Sequence, residues 1–229
     1  MHGASMPGTA TDERELMCDG MCVLSVRIAR PEAARGDRAR FRRRFDRFYS
    51  AEAKAFIKYC GTFLYDDAVR EYREAAAASR EFCPYEASLS YKTTFIGDGL
   101  ISVVTDASER YGRGTPATVR RGDVWDTRGG YPLSPASFFG SGARAKKICV
   151  ANARLQAARR IEEGTAAFLP KYEKLLRKKY SGRNFYIAGG EYRFFYPMCS
   201  VAPESEGVVE FSVPFSECGA AMPRPAGGR

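Results

Sequence analysis

Asn184–Phe215 reads NFYIAGGEYRFFYPMCSVAPESEGVVEFSVPF, and its alternation decides the fold class. Two short aromatic runs flank Gly189-Gly190, a two-residue signal for a tight β-hairpin. A connection bearing Pro197, Ser200 and Pro203 follows. In the third run Val209, Phe211 and Val213 alternate with Val208, Glu210 and Ser212, as expected for a strand with one buried face. The stretch therefore predicts three antiparallel strands whose apolar face, including Tyr192, Phe194, Val209 and Phe211, needs a cover.

Upstream, Arg144–Glu163 reads as a helix with Ile148, Leu155, Ala158 and Ile161 facing inward. Gly164 and Pro170 break it before a second piece, Lys171–Tyr180. This helical block is expected to cover a sheet built from both the middle and the C-terminal strands. In the middle, Glu86–Phe95 alternates, Gly97-Asp98-Gly99 turns, and Leu100–Asp106 returns. The loop Tyr111–Ala117 leads to another strand at Thr118–Thr127, and Leu133–Phe139 reads as a short helical turn.

Towards the N-terminus, Met21–Ala29 reads as a strand. An amphipathic helix is expected over Arg38–Cys60, with a stripe of Phe41, Phe45, Phe48, Ala55, Phe56 and Tyr59. Glu52 interrupts that stripe and Gly61 is expected to end the helix. A second helical stretch, Leu64–Ser79, has Ala68, Tyr72 and Ala75 on one side. The predicted organisation is a flexible N-terminus over 1–20, a strand with amphipathic helices over 21–84, an α+β domain over 85–218 and a disordered tail over 219–229. Blocks of helix beside hairpin-linked strands predict an α+β fold with helices packed on antiparallel sheet.

With 229 residues and 45% hydrophobic content, the chain suffices for one large domain or two small ones. No run of eighteen apolar residues exists, so no transmembrane segment is expected. The first residues have no basic stretch followed by an apolar core, so a cytoplasmic location is expected, or an extracytoplasmic one if an export segment has been removed. Seven cysteines, an odd number, suit a reducing compartment; Cys60, Cys149 and Cys199 sit in apolar patterns and are expected to be small buried hydrophobes. Cys18 and Cys22 lack the partners of a zinc site.

His2 is the only histidine, which disfavours triad chemistry and His-ligated zinc. No glycine-rich phosphate loop precedes a helix. The reading therefore assigns no catalytic residue, no cofactor, no metal ligand and no enzymatic activity. A carboxylate-dependent glycan hydrolase is the weakest alternative. Asp123 and Asp126 should point to opposite faces of a strand, Glu162-Glu163 sit on a helix, and only Glu204 and Glu206 have same-side spacing.

The protein is basic, with 36 Lys and Arg against 27 Asp and Glu, a net +9. Six arginines fall between Arg38 and Arg47, and Leu176–Arg183 is a second basic cluster. Arg40, Arg43, Arg44 and Arg47 are the candidates for polyanion binding, to nucleic acid or an anionic lipid surface. The interleaved phenylalanines have helical core spacing and are not stacking platforms, so nucleic acid is not the expected partner.

Residues 97–139, GDGLISVVTDASERYGRGTPATVRRGDVWDTRGGYPLSPASFF, resemble a bacterial family of domains of unknown function, the RsiV-like family. Its namesake is the extracytoplasmic part of an anti-sigma factor, and related domains lie next to peptidoglycan deacetylases. The resemblance rests on Gly99 and Ser102, on Trp125–Gly130 with Leu133, and on Phe138-Phe139. It continues through Phe185–Gly190, Val201–Gly207 and Val213–Phe215, so it spans about residues 85–215. The resemblance implies a non-catalytic binding module whose partner is an unknown protein or a component of the cell envelope. Its contact loops would be Pro197–Glu206 and Tyr111–Ala117, with Met198, Cys199, Pro203, Glu204, Arg113 and Thr115 as candidate partner-binding residues. The family's namesake binds lysozyme. Here Gly112–Pro116 lacks the family's loop histidine, and Cys199 and Glu204 stand where the family carries tyrosines. Lysozyme binding is therefore expected to be weak or absent.

Overall fold

The computed structural model describes residues 5–218; the tail expected to be disordered, 219–229, and His2 lie outside them. The order is β1 (Gly8–Cys18), β2 (Met21–Glu32), α1 (Ala39–Tyr59), a π-helical turn (Cys60–Leu64), α2 (Tyr65–Ala77), β3 (Tyr85–Gly97), β4 (Leu100–Arg110) and β5 (Ala117–Asp126). There follow β6 (Tyr131–Pro132), α3 (Ala136–Phe139), α4 (Gly142–Glu162), α5 (Tyr172–Lys179), β7 (Phe185–Ala188), β8 (Glu191–Tyr196), a 3-10 turn (Glu204–Glu206), β9 (Val209–Pro214) and α6 (Phe215–Cys218). The fold is α+β, as the pattern of blocks predicts.

The strands form two sheets, where one was expected across the middle and the C-terminus. The first has the order β1-β2-β3-β4-β5-β6 and the second β7-β8-β9. The first sheet is mixed: β2 and β3 are parallel, linked by the helical crossover, and every other pairing is antiparallel. Pairing of Leu24 with Tyr85 and of Ile28 with Leu89 joins the 21–84 segment to the strands after it in one sheet.

Residues 8–18 were expected to be flexible and instead form β1. The signal for it is Asp19-Gly20. Both adopt positive φ, 50° and 83°, which sets the twist of a two-residue hairpin, and Leu16 then pairs with Leu24. As an edge strand with mostly exposed side chains, β1 carries little apolar alternation to read. Gly189 and Gly190, with φ of 58° and 80°, make the same kind of turn between β7 and β8, as anticipated.

The long helix does not stop at Gly61. It passes through the π-helical turn into α2, which brings Cys60, Leu64 and Ala68 into line with Ala53 and Phe56 against β2 and β3. The α1 stripe is Phe41, Phe45, Tyr49, Ala53 and Phe56; Phe48 is only half-buried and Ala55 is exposed. Phe41, Phe45, Phe48 and Tyr49 surround Trp125 of β5 at centroid distances of 5.3 to 6.4 Å. The contacts of the three phenylalanines with Trp125 are edge-to-face, an arrangement that adds to the stabilisation from buried ring area.

The opposite face of the first sheet carries β7. The Thr94 hydroxyl donates to the Ile187 carbonyl at 2.8 Å, and the Ile187 amide donates to Ser102 Oγ at 3.1 Å. Gly122 permits this approach, because a Cβ there would overlap the Phe185 carbonyl oxygen. A bulge in β3 between Thr93 and Phe95 shifts the alternation, so Tyr91 packs on the α1 side while Phe95 packs on the other.

Beyond the second sheet lies α4. Tyr192, Phe194, Val209 and Phe211 are buried there in one core with Ala145, Cys149, Ala153, Ala157 and Leu176, as the alternation requires. The expected α4 stripe is wrong in its members. Leu155 is 72% exposed, Ile161 is 44% exposed and Ala158 is exposed, while Ile148 is only partly buried. The buried line is of small residues because the aromatic strands beneath already fill the space.

Candidate functional site

The loops Tyr111–Ala117 and Pro197–Glu206, expected from the sequence to meet a partner, come together at their bases. The Thr118 amide, at the end of Tyr111–Ala117, donates to Met198 Sδ at 3.0 Å. Met198 is thereby half-buried and serves as a joint between the loops. Val201 and Ala202 are 0% and 1% exposed, and the Leu169 amide donates to the Val201 carbonyl at 3.0 Å. Glu206 accepts from the Ala167 amide at 2.9 Å. Anchored at these points, the loop holds Cys199 and Glu204 exposed and Pro203 half-exposed. Cys199 has φ of 58°, and its exposure corrects the expectation of a buried thiol. Its left-handed backbone turns the side chain out of the apolar pattern. Arg113 and Thr115 are exposed on the other loop, where Arg113 pairs with Glu81 at 3.0 Å.

Between the two sheets lies a cleft of about 400 Å³ that the sequence did not reveal. Its centre is Arg120. The guanidinium donates to both oxygens of Asp106 at 2.7 and 2.6 Å and also to Glu210. Tyr186 donates to the other Glu210 oxygen at 2.6 Å. The fork geometry with Asp106 holds the arginine proton tightly, and burial followed by the Glu210 hydrogen bond pushes the Tyr186 hydroxyl up to about 12. Lys92 and Arg193 line the same cleft. Both carboxylates are committed to Arg120, so the cluster serves as an ionic bridge between the sheets. Glu210 lies between Val209 and Phe211, and its polar alternation was the available signal; the hydrogen-bonded pairs of the cluster are 14, 24 and 90 residues apart in the chain.

The other carboxylates are dispersed. Asp123 lies on the α1 side, held by Arg121 at 2.9 Å, whereas Asp126 accepts from the Arg128 amide at 2.8 Å and shapes the turn after β5. They do face apart, as the strand spacing predicts. Burial raises Asp123, with Arg121 opposing, and burial likewise raises Glu52, whose Oε2 has no hydrogen-bond partner. Glu52 therefore remains in the α1 stripe without bending the helix out of the core. Among the described residues no three His, Cys, Asp or Glu side chains gather as metal ligands would.

Arg40, Arg43, Arg44 and Arg47 are all exposed on α1. Arg44 donates to the Gly130 carbonyl at 3.2 Å, tying α1 to the turn after β5. All seven cysteines are free; burial pushes Cys60 and Cys149 up to about 12.

Comparison with known proteins yields structures only. A DUF3298 family member from Bacteroides fragilis superposes with a TM-score of 0.63 at 12% identity, covering 93% of this chain and 92% of that one. A DUF3298 family protein from Pseudomonas aeruginosa superposes with a TM-score of 0.58 at 14% identity, covering 93% of each. At such identities the likeness is one of fold. No protein-family model and no curated protein matches the chain.

Proposed function

We propose that the protein is a non-catalytic recognition module of RsiV-like descent that binds a protein or envelope partner through the loop Pro197–Glu206, with Tyr111–Ala117 beside it. The observation that carries this reading is the anchoring of the loop: two buried residues, Val201 and Ala202, and hydrogen bonds to Leu169 and Ala167 hold its outer side chains in place. A loop ordered before it meets a partner loses less conformational freedom on binding. Cys199, Pro203 and Glu204 form its outer contact surface, and Arg113 and Thr115 extend it. The likeness to DUF3298 structures supports a shared scaffold.

No enzymatic role is assigned. Glu206 accepts from the Ala167 amide, which gives this carboxylate a structural task in anchoring the loop. Lysozyme is expected to bind weakly or not at all, because Cys199 and Glu204 replace aromatic anchors. Calorimetry against lysozyme tests this directly: tight binding would overturn the reading of these two positions. Capture from a bacterial envelope extract, comparing the protein with a Cys199→Ala, Pro203→Ala, Glu204→Ala triple variant, tests the loop. A partner retained equally by both would remove the loop from the proposed interface.

A further inference from the structure

The net charge of the chain is not where its densest arginine run suggests. Residues 141–183, which contain α4 and α5, hold twelve Lys and Arg against three Asp and Glu, a net +9. That equals the charge of the whole chain; the remaining 24 bases and 24 acids cancel. The segment that carries α4 and α5 is therefore strongly basic, alongside the shorter arginine run of α1.

Within that segment, α4 and α5 form an open groove of about 580 Å³. Its floor is apolar, made by Ala143, Val150 and Ala151. Its rim carries Lys146, Lys147, Arg154 and Arg177. None of these four has an ion-pair partner among the described residues, whereas Arg159, further along α4, pairs with Glu163 at 2.7 Å. Arg154 also donates to the Glu173 carbonyl at 3.4 Å, which steadies one rim position across to α5.

From this we infer that the α4–α5 groove docks an acidic amphipathic segment of a partner protein, with its carboxylates on the four rim cations and an apolar side chain on the alanine floor. The chemistry of the floor selects this occupant. No aromatic ring lines the groove, so nucleic-acid bases have no stacking platform. No apolar side chain larger than Val150 lines the groove, and the exposed Leu155 of α4 is not among its lining residues, whereas insertion into a bilayer needs several large apolar side chains that protrude. Small floor residues let a peptide backbone come close, and flanking cations match carboxylates on either side. The groove shares no residue with the loop pair proposed above, so either surface can fail its test alone.

The test is fluorescence anisotropy with the whole protein and a labelled peptide of alternating Glu and Leu, at low and at moderate salt. Binding should weaken as salt screens the rim. A Lys146→Glu, Arg177→Glu variant should bind roughly 10-fold more weakly or worse, because attraction becomes repulsion at two rim positions. Lys54→Glu, Lys58→Glu changes the net charge equally on exposed positions of α1 and should bind as the wild type does. Ala151→Gln, which fills the floor without altering charge, should also weaken binding. Circular dichroism of each variant should match the wild type, since all these positions are solvent-facing. Equal binding of a Glu/Ser peptide would show that the floor is unused and overturn the inference. So would loss of binding in both double variants alike, or preferential binding of phosphatidylglycerol vesicles or of a single-stranded oligonucleotide that the peptide cannot displace.

Discussion

Helices α1 and α4 are both 21 residues long, and both cover a sheet, yet they divide the work of filling the interior in opposite ways. On α1 the helix supplies the volume, sending Phe41, Phe45, Tyr49 and Phe56 down to β-branched strands and Trp125. On α4 the strands supply it: Tyr192, Phe194, Tyr196 and Phe211 rise to meet Ala145, Cys149, Ala153 and Ala157. Close packing constrains the sum of facing volumes and not which side provides them. A helix that carries the large partners shows a clear apolar period. One that carries the small partners shows almost none, since alanine is common on either face.

The comparison breaks first at Trp125. Trp125→Ala removes the ring on which four α1 aromatics converge and should cost about 3–5 kcal/mol, read from the urea midpoint. A loss under about 1 kcal/mol would mean that α1 is not held by its large side chains. On the other helix the reverse substitution is informative. Ala153→Leu adds volume where none is free, Ala153 being 0% exposed, and should destabilise by about 1–3 kcal/mol. Tolerance of leucine there would show slack between α4 and the second sheet.

Glu52 sharpens the comparison through pH. Burial raises Glu52 and Asp123 above the ordinary carboxylate values of 4.5 and 3.8, Arg121 offsetting part of the effect. A group raised on folding favours the protonated native state. Its contribution is fully present below the unfolded value and is lost as pH rises through the folded one. Glu52→Gln should therefore match the wild type at low pH and become more stable than it as pH rises above the ordinary carboxylate value of 4.5. A constant difference between the two proteins from acid to neutral pH would remove Glu52 from this role.

The smallest expected effect separates the two readings of α4. Leu155→Ala would be costly if leucine faced the core, as the helical period suggested; at 72% exposure it should stay within about 0.5 kcal/mol. Thermal melting of the single variant decides between them.

Much of the motif series that carries the family resemblance has a structural task. Ser102, 0% exposed, receives the Ile187 amide, and Thr127 donates its hydroxyl to the Gly99 carbonyl at 2.9 Å. Asp126 shapes the following turn, and Gly130, with φ of 68°, lies against the Phe41 backbone. These residues were legible because turn chemistry and close backbone approach allow few substitutes. They report the scaffold, which is why the fold could be read further than the site. The Arg120 cluster was not legible: Asp106, Arg120, Tyr186 and Glu210 are ordinary polar positions until two sheets meet.

By itself the sequence determined the α+β class, the hairpin at Gly189-Gly190, the burial of Tyr192, Phe194, Val209 and Phe211, and the aromatic face of α1. Each depends on local periodicity or on turn residues with specific backbone preferences. Only the tertiary structure decided that there are two sheets, that β2 and β3 run parallel, that Phe95 crosses to the opposite core, and that α4 buries alanine while exposing leucine. It also placed the two basic runs in different settings. The α1 arginines project from an open helix face, whereas Lys146, Lys147, Arg154 and Arg177 rim an apolar groove between α4 and α5. Pairing, register and charge compensation are relations between distant residues, and no local pattern encodes them.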